Sequence, residues 1–236
     1  WRRSEALILG QRIINAILRP LVALILPYDV RGRENLPAQG PVIVMMNHVN
    51  LLDVIIPGLF LPREVIMLSK IENFRAPVLG LFVRAYGALP LRRGEADVEA
   101  VRLCQEALKR GNVLVIAPEG TRSGHGRLQA GRDGLAFVAA QADVPVVPFV
   151  QYGHEHWWPN LKRLRRTRLH VRIGEPFRFR LTGRRRRSEL RAMTQEAMCR
   201  LAALLPQEYR GVYAECGASI GAFTEPCRPA MDGMAQ

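Results

Sequence analysis

The chain has 236 residues, 48% of them hydrophobic and only 7% aromatic, and its 34 Lys and Arg against 21 Asp and Glu give a formal charge of +13. This length suits a single α/β domain with a sizeable core, and no stretch has the composition of an interdomain linker. The charge favours an anionic partner, either a membrane surface or a phosphorylated substrate. Nucleic acid is not expected as a partner, because the sequence lacks zinc-ligand spacings, aromatic RNA-binding signatures and a basic zipper.

Residues 1–30 are predicted to form an N-terminal helical segment, rich in Leu, Ile and Ala over 5–27. Four polar side chains interrupt it: Gln11, Arg12, Asn15 and Arg19. No uninterrupted apolar run therefore reaches the roughly 18 residues of a spanning helix. One side of the helix is aliphatic: Leu7, Ile14, Leu18, Leu21 and Ile25. This pattern predicts an amphipathic, membrane-associating helix with a potential kink at Pro20, and a helix that caps the core is the alternative.

From Pro41 onward, apolar runs and helical patterns alternate, which indicates an α/β fold. The predicted elements are a strand at 42–46, a helix at 51–61, a strand at 64–68, a helix at 95–110, a strand at 113–117, a helix at 132–142, strands at 144–150 and 168–173, and a final helix. The final helix is expected to begin at Ser188 as its N-cap. We expect one domain over 31–205, followed by a loosely ordered tail over 206–236.

The four cysteines are scattered and include no Cys-x-x-Cys pair: Cys104, Cys199, Cys216 and Cys227. Neither a metal site nor a disulfide framework is expected, and the spacing suits a reducing compartment. Pairing that involves the two tail cysteines stays open. Cys104 lies in a helical pattern among apolar residues, which favours packing over a nucleophilic role. His125, His154, His156 and His170 fit no metal-ligand spacing and are expected to be solvent-facing or structural.

Two polar motifs directly follow apolar runs that are predicted to be buried strands. His48 and Asp53 follow the run at 42–46, and Glu119-Gly120-Thr121-Arg122 follows the run at 113–117. Because the carboxyl ends of strands form the ligand-binding edge of open α/β sheets, both motifs are expected at one rim. Asn50 is a good N-cap, which would leave His48 in the turn before a helix and let it fold back onto Asp53. An imidazole, with an unperturbed pKa of about 6.5, is a suitable general base when a carboxylate orients it.

Four sequence blocks together resemble the glycerolipid acyltransferase family. They are residues 47–53 with His-x4-Asp, residues 87–93 with Gly-Ala-Leu-Pro-Leu-Arg-Arg, residues 118–123 with Pro-Glu-Gly-Thr-Arg-Ser, and residues 144–148 with Val-Pro-Val-Val-Pro. The resemblance extends over about 30–180 and is specific because the blocks agree in order and spacing. It implies a single-domain mixed α/β sheet flanked by helices. Pro90 and Arg92 depart from the family pattern, which affects the expected shape and charge of the acceptor pocket.

The resemblance implies transfer of an acyl chain from acyl coenzyme A or acyl carrier protein to the sn-2 hydroxyl of lysophosphatidic acid, giving phosphatidate. His48 would take the hydroxyl proton and Asp53 would orient His48. No covalent acyl enzyme is needed, because a thioester is already activated and the chain has no Gly-x-Ser-x-Gly elbow. No metal or organic cofactor is expected.

The remaining residues of these blocks are expected to bind substrate. Arg122 is the first candidate for gripping phosphate and Arg93 the second. Gly120 would let the backbone approach the ligand. Glu119 would position Arg122 or the glycerol hydroxyl, or form a simple surface ion pair with Arg122. Two residues have supporting roles: Gly87 would turn the chain toward the rim, and Thr121 would shape the loop.

Two basic runs, at 163–166 and 184–187, are candidates for contact with an anionic bilayer, the phosphates of coenzyme A, or the acidic surface of a carrier protein. The sequence thus predicts a monotopic or peripheral enzyme on the cytoplasmic face of a membrane. Other acceptors stay open: glycerol 3-phosphate, another lysolipid or an amino-lipid. A basic peripheral protein that binds lipid without turning it over is the alternative from a different functional class.

Overall fold

A sheet of nine strands forms the centre of the described chain, which comprises residues 5–92, 98–180, 186–216 and 221–227 of a computed structural model. The strands are β1 (Tyr28–Arg31), β2 (Val42–Met46), β3 (Val65–Lys70), β4 (Leu89–Leu91), β5 (Val113–Ile116), β6 (Val146–Tyr152), β7 (Leu169–Ile173), β8 (Phe177–Phe179) and β9 (Thr224–Pro226). The main order is β1-β7-β6-β2-β5-β3-β4, and β8 pairs with β6 and β9.

Seven α-helices flank this sheet in the described ranges. They are α1 (Glu5–Ile25), α2 (Ile56–Phe60), α3 (Pro77–Ala85), α4 (Val98–Lys109), α5 (Gly134–Ala142), α6 (Trp157–Lys162) and α7 (Arg187–Ala203). Side chains of α4, α5 and α7 bury one face of the sheet, and α1 and α2 bury the other. The predicted mixed α/β sheet with flanking helices is confirmed.

The middle of the sheet brings three loops together at one edge. β2 lies between β5 and β6 and runs parallel to both, so that Val44 pairs with Val115 on one side and Val147 on the other. These strands are buried throughout most of their length, as expected for parallel strands covered on both faces. The segments that follow β2, β5 and β6 therefore emerge side by side from the carboxyl edge.

Helix α1 packs against the domain with apolar and polar side chains together. Ile14, Leu18 and Ile25 pack against the core. Three polar side chains bond to backbone carbonyls of the domain: the Gln11 amide donates to the Val65 carbonyl at 3.2 Å, Asn15 donates to the Gly58 carbonyl at 2.9 Å, and Arg19 donates to the Leu59 carbonyl. An apolar stripe faces outward: Leu9, Ile13, Ile17, Leu21 and Leu24. Leu21, predicted on the same apolar side as Ile14 and Leu18, is 50% exposed, whereas Ile14 and Leu18 pack against the core. The sequence pattern missed this because short-range periodicity does not show which face meets backbone carbonyls that need donors.

Helix α1 is also continuous through Pro20. Its segment Leu7–Ile25 has a mean hydropathy of 1.5 and is long and apolar enough to cross a membrane by length and composition. Helix α1 is therefore a candidate membrane-spanning helix by length and composition, in spite of its polar residues.

Several predicted boundaries differ from the structure. The helix predicted at 51–61 is divided into a 3-10 helix (Leu51–Val54) and α2, because Pro57 restricts the first turn of α2. Helix α7 begins at Arg187 after the extended Arg186, so Ser188 is not its N-cap. One face of α7 packs on the sheet, with Met193, Ala197 and Leu201 buried.

The tail after Pro206 is not loosely ordered in its described parts, 206–216 and 221–227. It forms 3-10 helices at Gln207–Tyr209 and Gly211–Tyr213, and β9 pairs with β8. A disulfide joins Cys199 of α7 to the tail residue Cys216, a pairing that the sequence left open. No sequence motif marks this pair, because the two cysteines meet only when the chain after α7 folds back toward the helix.

Candidate active site

The turn after β2 places His48 against Asp53, as the sequence predicted. The Asn50 side chain accepts a hydrogen bond from the Leu52 amide at 2.8 Å and so begins the 3-10 helix Leu51–Val54. The Asp53 Oδ2 atom accepts from the amides of Asn50, at 2.8 Å, and Val49. The ring Nδ1 of His48 lies 3.0 Å from the same oxygen. Local backbone bonds therefore fix the carboxylate to which the imidazole is attached.

The carboxylate of Asp53 is fully buried, yet it is held in its charged form. Burial opposes the charge, but hydrogen bonds from His154 and His48 prevail and hold the pKa of Asp53 below its usual range. An ionised carboxylate only accepts hydrogen bonds. Nδ1 of His48 must therefore carry a hydrogen and act as the hydrogen-bond donor to Asp53. Its Nε2 is then the ring nitrogen that is able to accept a proton from a substrate.

His154 also belongs to this site, a role that the sequence reading missed. It follows β6, its side chain is fully buried, and its Nε2 lies 2.7 Å from Oδ1 of Asp53. It is therefore not solvent-facing. The available signal was its position two residues after a buried strand, at the same rim as His48 and Glu119.

The base of the His48 turn is fixed to β6 by Asn47. The Asn47 amide donates to the Gln151 carbonyl at 2.8 Å and accepts from the Gln151 amide at 2.9 Å. Both residues are buried. The side chain thus continues the β2–β6 ladder beyond the end of β2 and sets the direction in which the chain leaves toward His48.

Glu119 supports His48 and does not make the ion pair expected from the sequence. Its carboxylate is buried and accepts from the backbone amides of His48 and Gln129, each at 2.9 Å. Burial raises the pKa of Glu119, and these hydrogen bonds oppose that effect. No described contact joins it to Arg122. Glu119 therefore connects the loops after β2 and β5 through their backbones.

The loop that carries Arg122 is attached directly to the His48 turn. The Ser123 amide donates to the His48 carbonyl at 2.8 Å, and the Gly124 amide donates to the Val49 carbonyl at 3.2 Å. Arg122 is exposed and has no hydrogen bond or ion pair to any described residue. Its guanidinium is thus available to an anionic ligand beside His48. Thr121 is exposed on the same loop.

Gly120 has a structural reason to be glycine. Its φ is +70°, and a Cβ there would come within 2.8 Å of Cδ of Arg132. The Arg132 side chain therefore lies over Gly120, which adds a second exposed guanidinium beside this loop. The sequence reading did not single out Arg132.

The remaining predicted residues are only partly placed. Gly87, with a φ of +70°, turns the chain from α3 toward β4, and β4 runs parallel to β3 toward the same edge as β2 and β5. Arg93 lies outside the described residues, so its place at the rim stays a prediction. Substrate contact by Gly87 likewise stays a prediction.

Replacing Glu119 should loosen the site measurably. In Glu119→Gln an NH₂ group replaces one acceptor oxygen, so one of the two backbone amides loses its partner in a buried position. We expect the free energy of unfolding in urea to fall by about 1–3 kcal/mol. Glu208→Gln, at an exposed position, is the control and should change it by less than about 0.5 kcal/mol. Equal stabilities of the two variants would refute the connecting role of Glu119.

Comparisons with known proteins agree with this geometry. The chain is 37% identical over 128 residues to 1-acyl-sn-glycerol-3-phosphate acyltransferase BAT2, chloroplastic, of Brassica napus, a match that covers 53% of this chain and 37% of the relative. It is 27% identical over 177 residues to 1-acyl-sn-glycerol-3-phosphate acyltransferase alpha of Ovis aries, covering 71% of this chain and 62% of the relative. The chain thus spans less than two thirds of either protein.

A solved structure shows the same fold. The crystal structure of the 1-acyl-sn-glycerophosphate acyltransferase PlsC from Thermotoga maritima superposes with a TM-score of 0.61 at 24% identity, covering 84% of this chain and 78% of the other. The family model described as Acyltransferase matches residues 27–151, which include His48, Asp53 and the loop from Glu119 to Arg122. Because this match extends over more than half of the chain, the chain belongs to the acyltransferase family.

Proposed function

We propose that the chain transfers an acyl group from a thioester donor, acyl coenzyme A or acyl carrier protein, to the sn-2 hydroxyl of lysophosphatidic acid. The observation that carries this proposal is the 3.0 Å contact between His48 and a buried, ionised Asp53, beside a loop with an unpaired Arg122. Such a site combines a proton acceptor with an anion-binding group, as a phosphorylated alcohol requires. The names of the relatives agree with this substrate.

The proposed reaction needs one proton acceptor and no covalent intermediate on the protein. Nε2 of His48 takes the proton of the acceptor hydroxyl while its oxygen forms a bond to the thioester carbonyl carbon. The resulting tetrahedral species expels the sulfur as thiolate, which breaks the C–S bond. The imidazolium of His48 returns the proton to the thiolate, and Asp53 stabilises the transient positive charge.

Arg122 is proposed to hold the phosphate of the acceptor. Its guanidinium forms two parallel hydrogen bonds with a phosphate, which fixes both the position and the orientation of the ligand. Arg132, across Gly120, is placed to add a second charge. Arg93, outside the described residues, remains a candidate for the same role.

The outward stripe of α1 (Leu9, Ile13, Ile17, Leu21 and Leu24) is proposed to face a lipid bilayer. The inner side of α1 is attached to the domain through core packing and hydrogen bonds to carbonyls, which leaves a second apolar stripe exposed on the outer side. That arrangement is unfavourable in water and favourable at an acyl-chain boundary. A charge of +13 suits the anionic cytoplasmic leaflet, and we therefore place the protein on that face.

Charges introduced into this stripe should release the protein from vesicles. Ile13→Glu and Ile17→Glu, at side chains that are 52% and 58% exposed, should sharply reduce co-sedimentation with phosphatidylglycerol-containing vesicles while the fold is kept. Val212→Glu is the matched control, since it is 68% exposed but lies on the segment that packs beside α7. Equal release by all three substitutions, or by none, would contradict the assignment.

The function itself is tested by offering the purified protein one acyl donor and several acceptors. We expect thiol release with lysophosphatidic acid to exceed that with glycerol 3-phosphate, lysophosphatidylcholine and an amino-lipid. Preference for one of the others would keep the chemistry and change the acceptor. Vesicle binding without thiol release from any of them would favour a lipid-binding protein instead.

A further inference from the structure

His154 lies on the opposite oxygen of Asp53 from His48. Its Nε2 is 2.7 Å from Oδ1, whereas Nδ1 of His48 is 3.0 Å from Oδ2. Oδ1 has no other hydrogen bond among the described residues, and both Asp53 and His154 are fully buried. The carboxylate is thus enclosed between two imidazoles, one at the edge of the substrate site and one within the protein.

The two imidazoles are not equivalent. The ring of His48 is 11% exposed and can meet a substrate, whereas that of His154 is inaccessible. Because Asp53 is an acceptor, Nε2 of His154 is the donor in this contact. The other ring nitrogen, Nδ1, is buried without a hydrogen-bond partner in the described chain. His154 therefore acts on Asp53 through the hydrogen bond that Nε2 donates.

The remaining donors hold Asp53 in place independently of His154. Oδ2 accepts from the amides of Val49 and Asn50, which belong to the same turn as His48. Loss of the His154 contact should consequently leave the Asp53–His48 hydrogen bond intact. What changes is the amount of negative charge that Asp53 presents to the ring of His48.

We propose that His154 is a positioning residue that sets the base strength of His48 through Asp53, a role that rests on the proposed general-base function of His48. A donor on Oδ1 partly neutralises the carboxylate, so Asp53 stabilises a protonated His48 less than an unshared carboxylate does. The unprotonated, active form of His48 then persists to lower pH. Two further charged groups lie on segments bonded to the His48 turn: Glu119, which accepts from the His48 backbone amide, and Arg122 on the attached loop.

The direction of the expected effect follows from this charge balance. Without the donor, Asp53 is more negative, His48 keeps its proton to higher pH, and the rising limb of the pH–kcat/KM profile moves to higher pH. Activity at the alkaline plateau is retained. A residue that only filled space would instead lower activity at every pH alike.

The test compares His154→Met with His154→Gln in the otherwise unchanged protein. Gln places an NH₂ donor near the position of Nε2 and takes up no proton, whereas Met has a similar volume and no donor. We expect the rising limb to move to higher pH in His154→Met and to keep its wild-type position in His154→Gln. His170→Met is the control, since His170 also lies near a carboxylate, 3.7 Å from Asp29, but makes no described hydrogen bond or ion pair with His48, Asp53 or His154, and should not move the limb.

A second measurement separates this proposal from the proposed reaction. The ring nitrogens of His48 are followed by ¹⁵N NMR as a function of pH, which requires no turnover. The titration midpoint should rise in His154→Met, stay unchanged in His154→Gln, and show no dependence on residue 154 in an Asp53→Asn background. An unchanged midpoint in His154→Met, equal shifts in both variants, or the same shift without the Asp53 carboxylate would overturn the proposal even if the enzyme is active. Absence of transfer with these midpoints as expected would refute the reaction alone.

Discussion

His48→Ala should abolish nearly all acyl transfer and leave the fold and substrate binding intact. The substitution removes Nε2, the proton acceptor, and general bases of this kind contribute about a hundred- to ten-thousandfold in rate. We expect kcat, followed by thiol release from acyl coenzyme A, to fall by about that factor. KM for lysophosphatidic acid should change little, because phosphate binding is assigned to Arg122.

Asp53→Asn gives the matched comparison. An Asn side chain keeps the size of Asp53 but has no negative charge and presents its NH₂ group to one of the two imidazoles. His48 therefore loses its charged partner, and where the NH₂ group faces His48 the ring can no longer keep its hydrogen on Nδ1 for this contact. Its kcat should approach that of His48→Ala, and the double variant should be no slower than either single one, because the two act as a unit. Multiplicative losses in the double variant, or full activity in His48→Ala, would show that the dyad is not the catalytic base.

Arg122→Ala should weaken the use of acceptors that carry a phosphate. A charged hydrogen bond lost from a site costs roughly 1.5–3 kcal/mol, which corresponds to about a 10- to 150-fold drop in kcat/KM. The drop should appear with lysophosphatidic acid and be far smaller with monoacylglycerol, which lacks the phosphate. Arg122→Lys keeps the charge but not the planar pair of donors. Its kcat/KM with lysophosphatidic acid should lie between those of the wild type and Arg122→Ala.

The control for Arg122 is Arg127→Ala, an exposed arginine on the same loop. It should leave the ratio of kcat/KM for the two acceptors at the wild-type value, whereas Arg122→Ala should bring the ratio down. A proportional loss with both acceptors in Arg122→Ala would mean that Arg122 shapes the loop and does not bind phosphate.

The positions of the two loops that carry His48 and Glu119 could be predicted from the sequence, because each loop follows a short, uninterrupted apolar run. The runs before His48 and Glu119 are β2 and β5, which are adjacent and parallel, so the rule that ligands bind at the carboxyl edge applied directly. The contact of His48 with Asp53 was also predictable, because Asn50 is an evident N-cap that ends the turn. Local signals were sufficient for these features.

Features that depend on long-range contacts were not predictable. His154 is separated from Asp53 by 101 residues, and only the position of β6 beside β2 brings them together. The sequence suggests that Glu119 positions Arg122 or the glycerol hydroxyl, or pairs with Arg122 at the surface, but its carboxylate turns inward to the amides of His48 and Gln129. The orientation of α1 depends on the backbone carbonyls of Gly58 and Leu59, which accept hydrogen bonds from the helix. The spacing of apolar residues in α1 does not show that these acceptors are present. The disulfide of Cys199 likewise depends on how the tail folds back.

The most direct test of the account is to incubate purified wild-type protein and His48→Ala with acyl coenzyme A and vesicles that contain lysophosphatidic acid, and to quantify phosphatidate by mass spectrometry. The account predicts phosphatidate with the wild type and a decrease of at least about a hundredfold with His48→Ala. Equal amounts of phosphatidate from both proteins would contradict it.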